Sequence, residues 1–230
     1  MAFSSVRDPA SSCFGASDSG PVATVPLIVV DIAGAQANAL AQLVPLLGCG
    51  EEAAALAFDD LADREHDPAV DEALRGIADE ERIHEQLLLS LMAGLPPVDV
   101  TASRRAARRF HIDLGRGSDE AHLARIAAVD AGVCTILSRL LRPGAPLASD
   151  HRVALLLARI RHDESRHVML SRRIAIARGD RRTIEAAAAA ARIALADVLT
   201  LAADAFETLE VDPGRLLADL RRLPNGLLRA

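Results

Sequence analysis

Asp79-Glu80-Glu81-Arg82-Ile83-His84 and Asp163-Glu164-Ser165-Arg166-His167 are the stretches that decide how this chain reads. Each contains Glu-x-x-His. On a helix, positions i and i+3 share a face, so a carboxylate and an imidazole can bind one metal ion or two adjacent ones. Spacing alone says little, because Asp63-x-x-His66 and Asp119-x-x-His122 have it too. The register around the motifs carries the argument. Val70, Leu74 and Ile77 precede Glu81 and His84, and Leu88 and Leu91 follow, in alternating steps of three and four. Val153, Leu157 and Ile160 precede Glu164 and His167 in the same way, with Ser171 and Ile174 after them. Each motif therefore interrupts an apolar helical stripe, where a carboxylate is costly unless paired or bound to metal. Asp63 and His66 share a face with Glu52 and Asp59, which reads as solvated. Asp119 and His122 fall in a helix first turn, where acids are ordinary.

Working outward from the first motif, Asp67 is an N-cap with Pro68 at the first helical position. That helix runs to about Ala93 and stops at Gly94 and Pro96-Pro97. Upstream, a helix spans about residue 31 to His66, with a kink or break expected at Pro45, Gly48 and Gly50. Downstream, Ser118-Asp119-Glu120 opens a helix that ends before Pro143-Gly144, and Ser149 or Asp150 opens one that reaches Gly179. A further helix covers about 181–209, and Asp212-Pro213 starts a short last one. No segment alternates as a strand does, so the fold class is all-α. Short, long and short connections between the four main helices predict a four-helix bundle with one long crossover. The expected organisation is a disordered tail at 1–26, the bundle at 27–178, and a helical extension at 179–230 packing on it. Arg104, Arg105, Arg108 and Arg109 lie in the crossover, on a small helix whose basic face reads as solvated.

A bundle site needs partners from the other two helices. Facing residues of a helical hairpin lie about equally far from its turn. For Glu164 the partner falls near Asp130, a lone acid among Leu123, Ile126, Val133, Leu137 and Leu140. For Glu81 it falls near Glu51 and Glu52. Glu51 is preferred because it shares a face with Ala54, Ala55, Phe58 and Leu61; Asp59 is a third choice. The expected ligand set is Glu51, Glu81, His84, Asp130, Glu164 and His167. Six oxygen and nitrogen ligands without a thiolate suit a pair of iron ions, or manganese ions, better than a tetrahedral zinc. Glu81 and Glu164 are placed to bridge, each His to cap one ion, and Glu51 and Asp130 to terminate the set.

Composition narrows the chemistry. Of the 230 residues 50% are hydrophobic and 25% charged, with a formal net charge of -6. All the basic side chains other than histidine are arginine, and Tyr and Trp are absent. Without Lys there is no Schiff-base or Walker-A chemistry. Without Tyr there is no tyrosyl radical. The acidic balance and the scarcity of aromatics argue against a nucleic-acid partner. The three cysteines, Cys13, Cys49 and Cys134, form no CxxC, so no disulfide framework is expected and a reducing cytoplasm is the default location. No signal peptide is read at the N-terminus, and Leu27–Gly50 is too polar for a membrane span. Cys134, one turn after Asp130, reads as a small buried hydrophobe, and His162 as a surface residue. His111 and His151 carry no signal.

The loop pattern and the paired motifs resemble the ferritin-like di-iron carboxylate superfamily over about residues 31–178. Glu51 to Leu91 is similar to the first two helices of rubrerythrin and bacterioferritin. The resemblance implies a non-haem di-iron centre that reacts with O2 or peroxide. Asp130 departs from it, standing where most members have Glu, and some fifty residues follow the fourth helix. The missing CxxC pair excludes a classical rubrerythrin. Two full Glu-x-x-His motifs point to an oxidoreductase that oxygenates a small organic substrate and draws on an electron donor. The terminal helices would cover its pocket or form a homodimer interface. The other readings are an iron-oxidising, storage or detoxification protein and a non-catalytic bundle.

Overall fold

The computed structural model describes residues 28–223 together with Cys13. The expected tail at 1–26, Cys13 apart, lies outside the described residues. Every regular element among the described residues is helical. In chain order these are α1 (Gly34–Asp63), α2 (Pro68–Ala93), α3 (Thr101–Leu114), α4 (Asp119–Leu140), the single turn α5 (Pro146–Ser149), α6 (His151–Arg178) and α7 (Arg181–Leu199). A 3-10 turn at Thr200–Ala202 leads into α8 (Ala203–Thr208), and α9 (Pro213–Arg222) ends the described chain.

Side-chain caps set most of the helix starts. Asp67 accepts from the Ala69 N–H with Pro68 beside it, Ser118 from Ala121, and Asp150 from both Arg152 and Val153. Each cap satisfies backbone donors that the first turn leaves without partners. The Asp150 carboxylate also accepts from the Asp31 N–H at 2.6 Å, which pins the chain leading into α1. Three boundary expectations need correction. The first helix runs unbroken through Pro45, Gly48 and Gly50: Pro45 removes one N–H bond and its ring crowds the preceding turn, but buried neighbours on both sides hold the helix together. It ends at Asp63 rather than His66, because the Glu65 carboxylate accepts from the His66 and Asp67 N–H groups and closes a turn there. The helix expected over 181–209 is interrupted at Thr200–Ala202.

α1 packs chiefly on α2 and α4 chiefly on α6, giving two antiparallel hairpins that meet where α2 touches α6. Arg64, just after α1, pairs with Asp119 at the start of α4 at 2.9 Å, so these two helices also run antiparallel. α7 lies along α4, α9 on α7, and α3 and α8 on α1. Gly132 lets α7 approach: a Cβ there would come within 2.6 Å of Leu195 Cδ2. α1 and the stretch Arg181–Thr208 are long and apolar enough to cross a bilayer by length and composition, yet α1 carries Glu51 and Glu52 into the interior.

The interior holds two apolar cores. One collects Leu40 and Val44 of α1, Leu88 and Leu91 of α2, Leu137 of α4, Leu157 and Ile160 of α6, and much of α7 to α9. The other collects Phe58 and Leu61 of α1, Leu74 and Ile77 of α2, Leu123 and Ile126 of α4, and Ile174 of α6. On each of the four helices the candidate ligands fall between these cores. Apolar packing on both sides thus fixes the axial position of the polar layer; each buried large aliphatic side chain contributes about 1.5–3 kcal/mol.

Cys13 and Cys49 form a disulfide, with their Cα atoms 5.4 Å apart. This overturns the expectation of unpaired cysteines. Sequence spacing reports local motifs, whereas this bridge depends on where the tail returns to α1. The Cys13 N–H donates to Glu52 Oε2 at 2.6 Å beside it. Cys134 remains a thiol.

Candidate metal centre

Glu51 of α1, Glu81 and His84 of α2, and Glu164 of α6 are all buried, and each offers a ligand atom within 4.8 Å of the others. This group could hold a metal ion. The apolar stripes explain the convergence: Leu74, Ile77, Leu88 and Leu91 bury one face of α2, and Glu81 and His84 lie on that face. Val153, Leu157, Ile160 and Ile174 do the same for Glu164 and His167 on α6.

The two motif glutamates each reach both histidines through different oxygens. Glu81 places Oε2 at 3.3 Å from His84 Nδ1 and Oε1 at 3.0 Å from His167 Nδ1. Glu164 places Oε1 at 3.6 Å from His84 Nδ1 and Oε2 at 3.9 Å from His167 Nδ1. Glu51 Oε2 lies 3.3 Å from His84 Nδ1. Both imidazoles therefore turn Nδ1 inward and Nε2 outward. His84 Nε2 is 3.2 Å from Asp163 Oδ2, and His167 Nε2 is 2.7 Å from Glu80 Oε2. The acid preceding each motif glutamate thus holds the histidine of the opposite motif. Such carboxylate–histidine contacts fix ring orientation and tautomer in metal sites. Arg166 joins both outer acids, at 3.0 Å from Glu80 and 2.6 Å from Asp163.

Three buried polar atoms in this layer have no hydrogen-bond partner: Glu81 Oε1, Asp130 Oδ2 and His167 Nδ1. Glu81 Oε1 and His167 Nδ1 are close but misaligned for a hydrogen bond. Orphaned buried acceptors are rare, and each asks for an explanation. Glu81 Oε1 and His167 Nδ1 face each other at 3.0 Å beside the group that Glu51, Glu81, His84 and Glu164 form.

Crowded acids shift one another. Burial, then the Glu81 charge, pushes the Glu51 carboxyl up to about 8. Burial, then the Glu51 charge, pushes Glu164 up to about 6. Asp130 is driven well above its ordinary value by burial and by Glu164. For the histidines, burial opposes protonation but the carboxylates outweigh it. Glu164, Glu51 and Glu81 hold His84 above the usual range, and Glu81 leads in raising His167 to about 9. Around the rim, burial is outweighed the other way: hydrogen bonds from His167 and Arg166 lower Glu80, and those from Arg166 and His84 lower Asp163.

All six expected ligands are buried; four of them, Glu51, Glu81, His84 and Glu164, come together as the group, and Asp130 and His167 lie outside it. Of the alternatives on α1, Glu51 joins the cluster, whereas Glu52 accepts from the Cys13 N–H and Asp59 pairs with Arg82. Asp63 and His66 are exposed. The Cys134 thiol donates to the Arg161 carbonyl at 3.7 Å, and burial pushes it up to about 12. Sequence reasoning passed over four residues. Glu80 and Asp163 sit beside the motifs in the quoted stretches and could have been suspected. His111 and His122 line a cavity between α1 and α4 whose walls also include Glu51, Glu81, Asp130 and Glu164. His122 reads from sequence as an ordinary first-turn residue, but it is only 7% exposed.

Comparison of the chain with models of protein families, with curated proteins and with solved structures finds no match.

Proposed function

We propose that this chain is a ferritin-like oxidoreductase that holds two iron or manganese ions and activates O2 or peroxide to oxygenate a small organic molecule. Glu51, Glu81, His84, Asp130, Glu164 and His167 would hold the metals. The observation that carries this reading is the convergence of buried donor atoms. Glu51, Glu81, His84 and Glu164 each offer a ligand atom within 4.8 Å of the others. Two divalent cations with neutral imidazoles would balance four carboxylates and give the orphaned atoms of Glu81, Asp130 and His167 a partner. A purely structural ion-pair network would leave those atoms unexplained.

Bound metals of this kind supply electrons to oxygen from an open coordination position. The protein residues do the rest. Glu81 and Glu164, each reaching both histidines, would be shared between the metals. Glu51 serves the His84 side, and Asp130 faces the cavity. Glu80 and Asp163 accept the Nε2 protons and keep both Nδ1 atoms inward. The two apolar cores exclude water above and below the layer. Oxygen-electrode measurements on the Fe(II)-loaded chain with a chemical reductant test this. Uptake that disappears in His167→Ala is expected; equal uptake in that variant, or none in the loaded wild type, contradicts it.

A further inference from the structure

Beside the ligand layer, α1, α3, α4 and α7 wall a cavity of about 90 Å³. Protein interiors pack closely and leave few voids larger than a water molecule. This one persists because its α1 wall is built from Gly50, Ala54 and Ala57, which have little or no side chain to fill it. Val129 and Val133 of α4 and Val198 of α7 close other sides. Glu51, Glu81, Asp130 and Glu164 also line it, so the open space adjoins the residues that would hold the metals.

Volume sets the size of an occupant. A dry, apolar protein cavity of about 150 Å³ holds one benzene molecule or a xenon atom. By proportion, this cavity holds about three or four heavy atoms. Charge sets the kind of occupant. The lining has four acids and no arginine, so an anion would meet no cation there and would face the carboxylates. A positively charged molecule would have to share those carboxylates with the metal ions. His111 and His122 line the cavity at separate places, one against Gly50 and the other against Gly115. Burial lowers each imidazole to about 4, so neither adds charge at neutral pH. Apart from these acids and imidazoles, every lining residue is apolar.

We propose that this cavity binds a small, uncharged, apolar molecule of about three or four heavy atoms, held by hydrocarbon contacts between α1, α4 and α7 beside Asp130 and Glu164. This deepens the oxygenase reading and rests on it for calling the molecule a substrate; the binding itself needs no metal. Ala54 and Val198 then determine specificity by size, because a larger side chain at either position takes up the space the molecule would occupy.

Xenon magnetic resonance on the metal-free, full-length protein tests this, with cyclopropane, cyclohexane and acetate as competitors. Metal uptake after Fe(II) loading is measured on a separate aliquot. Xenon should bind saturably. Cyclopropane, which matches the volume, should displace it. Cyclohexane, which exceeds the volume, and acetate, which carries charge, should not. Ala54→Leu, which fills the cavity from α1, should weaken xenon binding about tenfold or more, and Val198→Phe should do so from the α7 side. Both substitutions fill space rather than create it, and circular dichroism shows whether each variant is folded. Xenon binding unaffected by both filling variants would overturn the proposal, as would displacement by cyclohexane as strong as that by cyclopropane. Failure of these outcomes in a chain that takes up two metal ions sinks the cavity and leaves the metal reading standing. Success in a chain that takes up none keeps the cavity and breaks the oxygenase reading.

Discussion

On α2, His84 turns Nδ1 towards three carboxylates, those of Glu51, Glu81 and Glu164. On α6, His167 turns Nδ1 towards only two, Glu81 and Glu164. The outer contacts differ in the opposite sense: Glu80 grips His167 at 2.7 Å, whereas Asp163 holds His84 at 3.2 Å. The arginines differ as well. Arg166 binds both outer acids, while Arg82 turns away to Asp79 and Asp59. Near-repeats in sequence thus become unequal halves in space. The α2 half is set mainly by charge around its histidine and the α6 half mainly by a tight outer hydrogen bond.

Removing a shared ligand should abolish the comparison outright. Glu164→Ala should lose nearly all bound metal, because both halves depend on that carboxylate. Glu51→Ala should keep about one equivalent, on the His167 side. Metal analysis after anaerobic loading separates the two, and equal losses would erase the distinction between shared and one-sided ligands.

Next in size are the outer acids. Loss of such a contact typically costs about 10–100-fold in metal affinity. Glu80→Gln should fall towards the upper end and Asp163→Asn towards the lower, in line with their distances. Competition titration with a chelator measures both, and the reverse order would contradict the division of labour drawn here.

The pH response is expected to be smaller and to depend on metal. Glu164, raised to about 6, Glu51, raised to about 8, and His167, raised to about 9, all bind protons more tightly in the folded chain than when unfolded. Their contribution to stability is complete below their ordinary values and is lost as pH rises through the raised ones. The metal-free melting temperature should therefore fall between about pH 6 and 9, while metal affinity rises over the same window as protons are displaced. A metal-free melting temperature that climbs from pH 6 to 9 would contradict these shifts. Smallest of all, Arg166→Ala should weaken metal binding by roughly two- to fivefold, since its ion pairs are half-exposed, and Arg82→Ala should leave it unchanged.

Much of this layer was legible before any coordinates. The stripes on α2 and α6 needed only helical period, and Asp130 and Glu51 needed only equal distance from a turn. The outer acids were harder. Glu80 and Asp163 lie one residue before the motif glutamates, about 100° round the helix, so the apolar phase points away from them. Only the close approach of α2 to α6 brings each to the opposite histidine. The cavity was out of reach for a different reason. It exists because α3 and α7 wall in a space that small residues on α1 leave open, and the sequence does not report how a crossover helix docks. The same holds for Cys13, whose partner depends on the path of the tail. Pro45 does not break its helix because burial of the residues around it outweighs the lost N–H bond and the crowded turn.

The central claim is that the buried layer exists to hold two metal ions. Anaerobic titration of the full chain with Fe(II), followed by removal of loosely bound ions and metal analysis, tests it most directly, with Glu81→Ala run beside it. The account predicts saturation at about two ions per chain, as four carboxylates and two histidines require, and near-complete loss in the variant. No retained metal in the wild type, or full retention in Glu81→Ala, would contradict it.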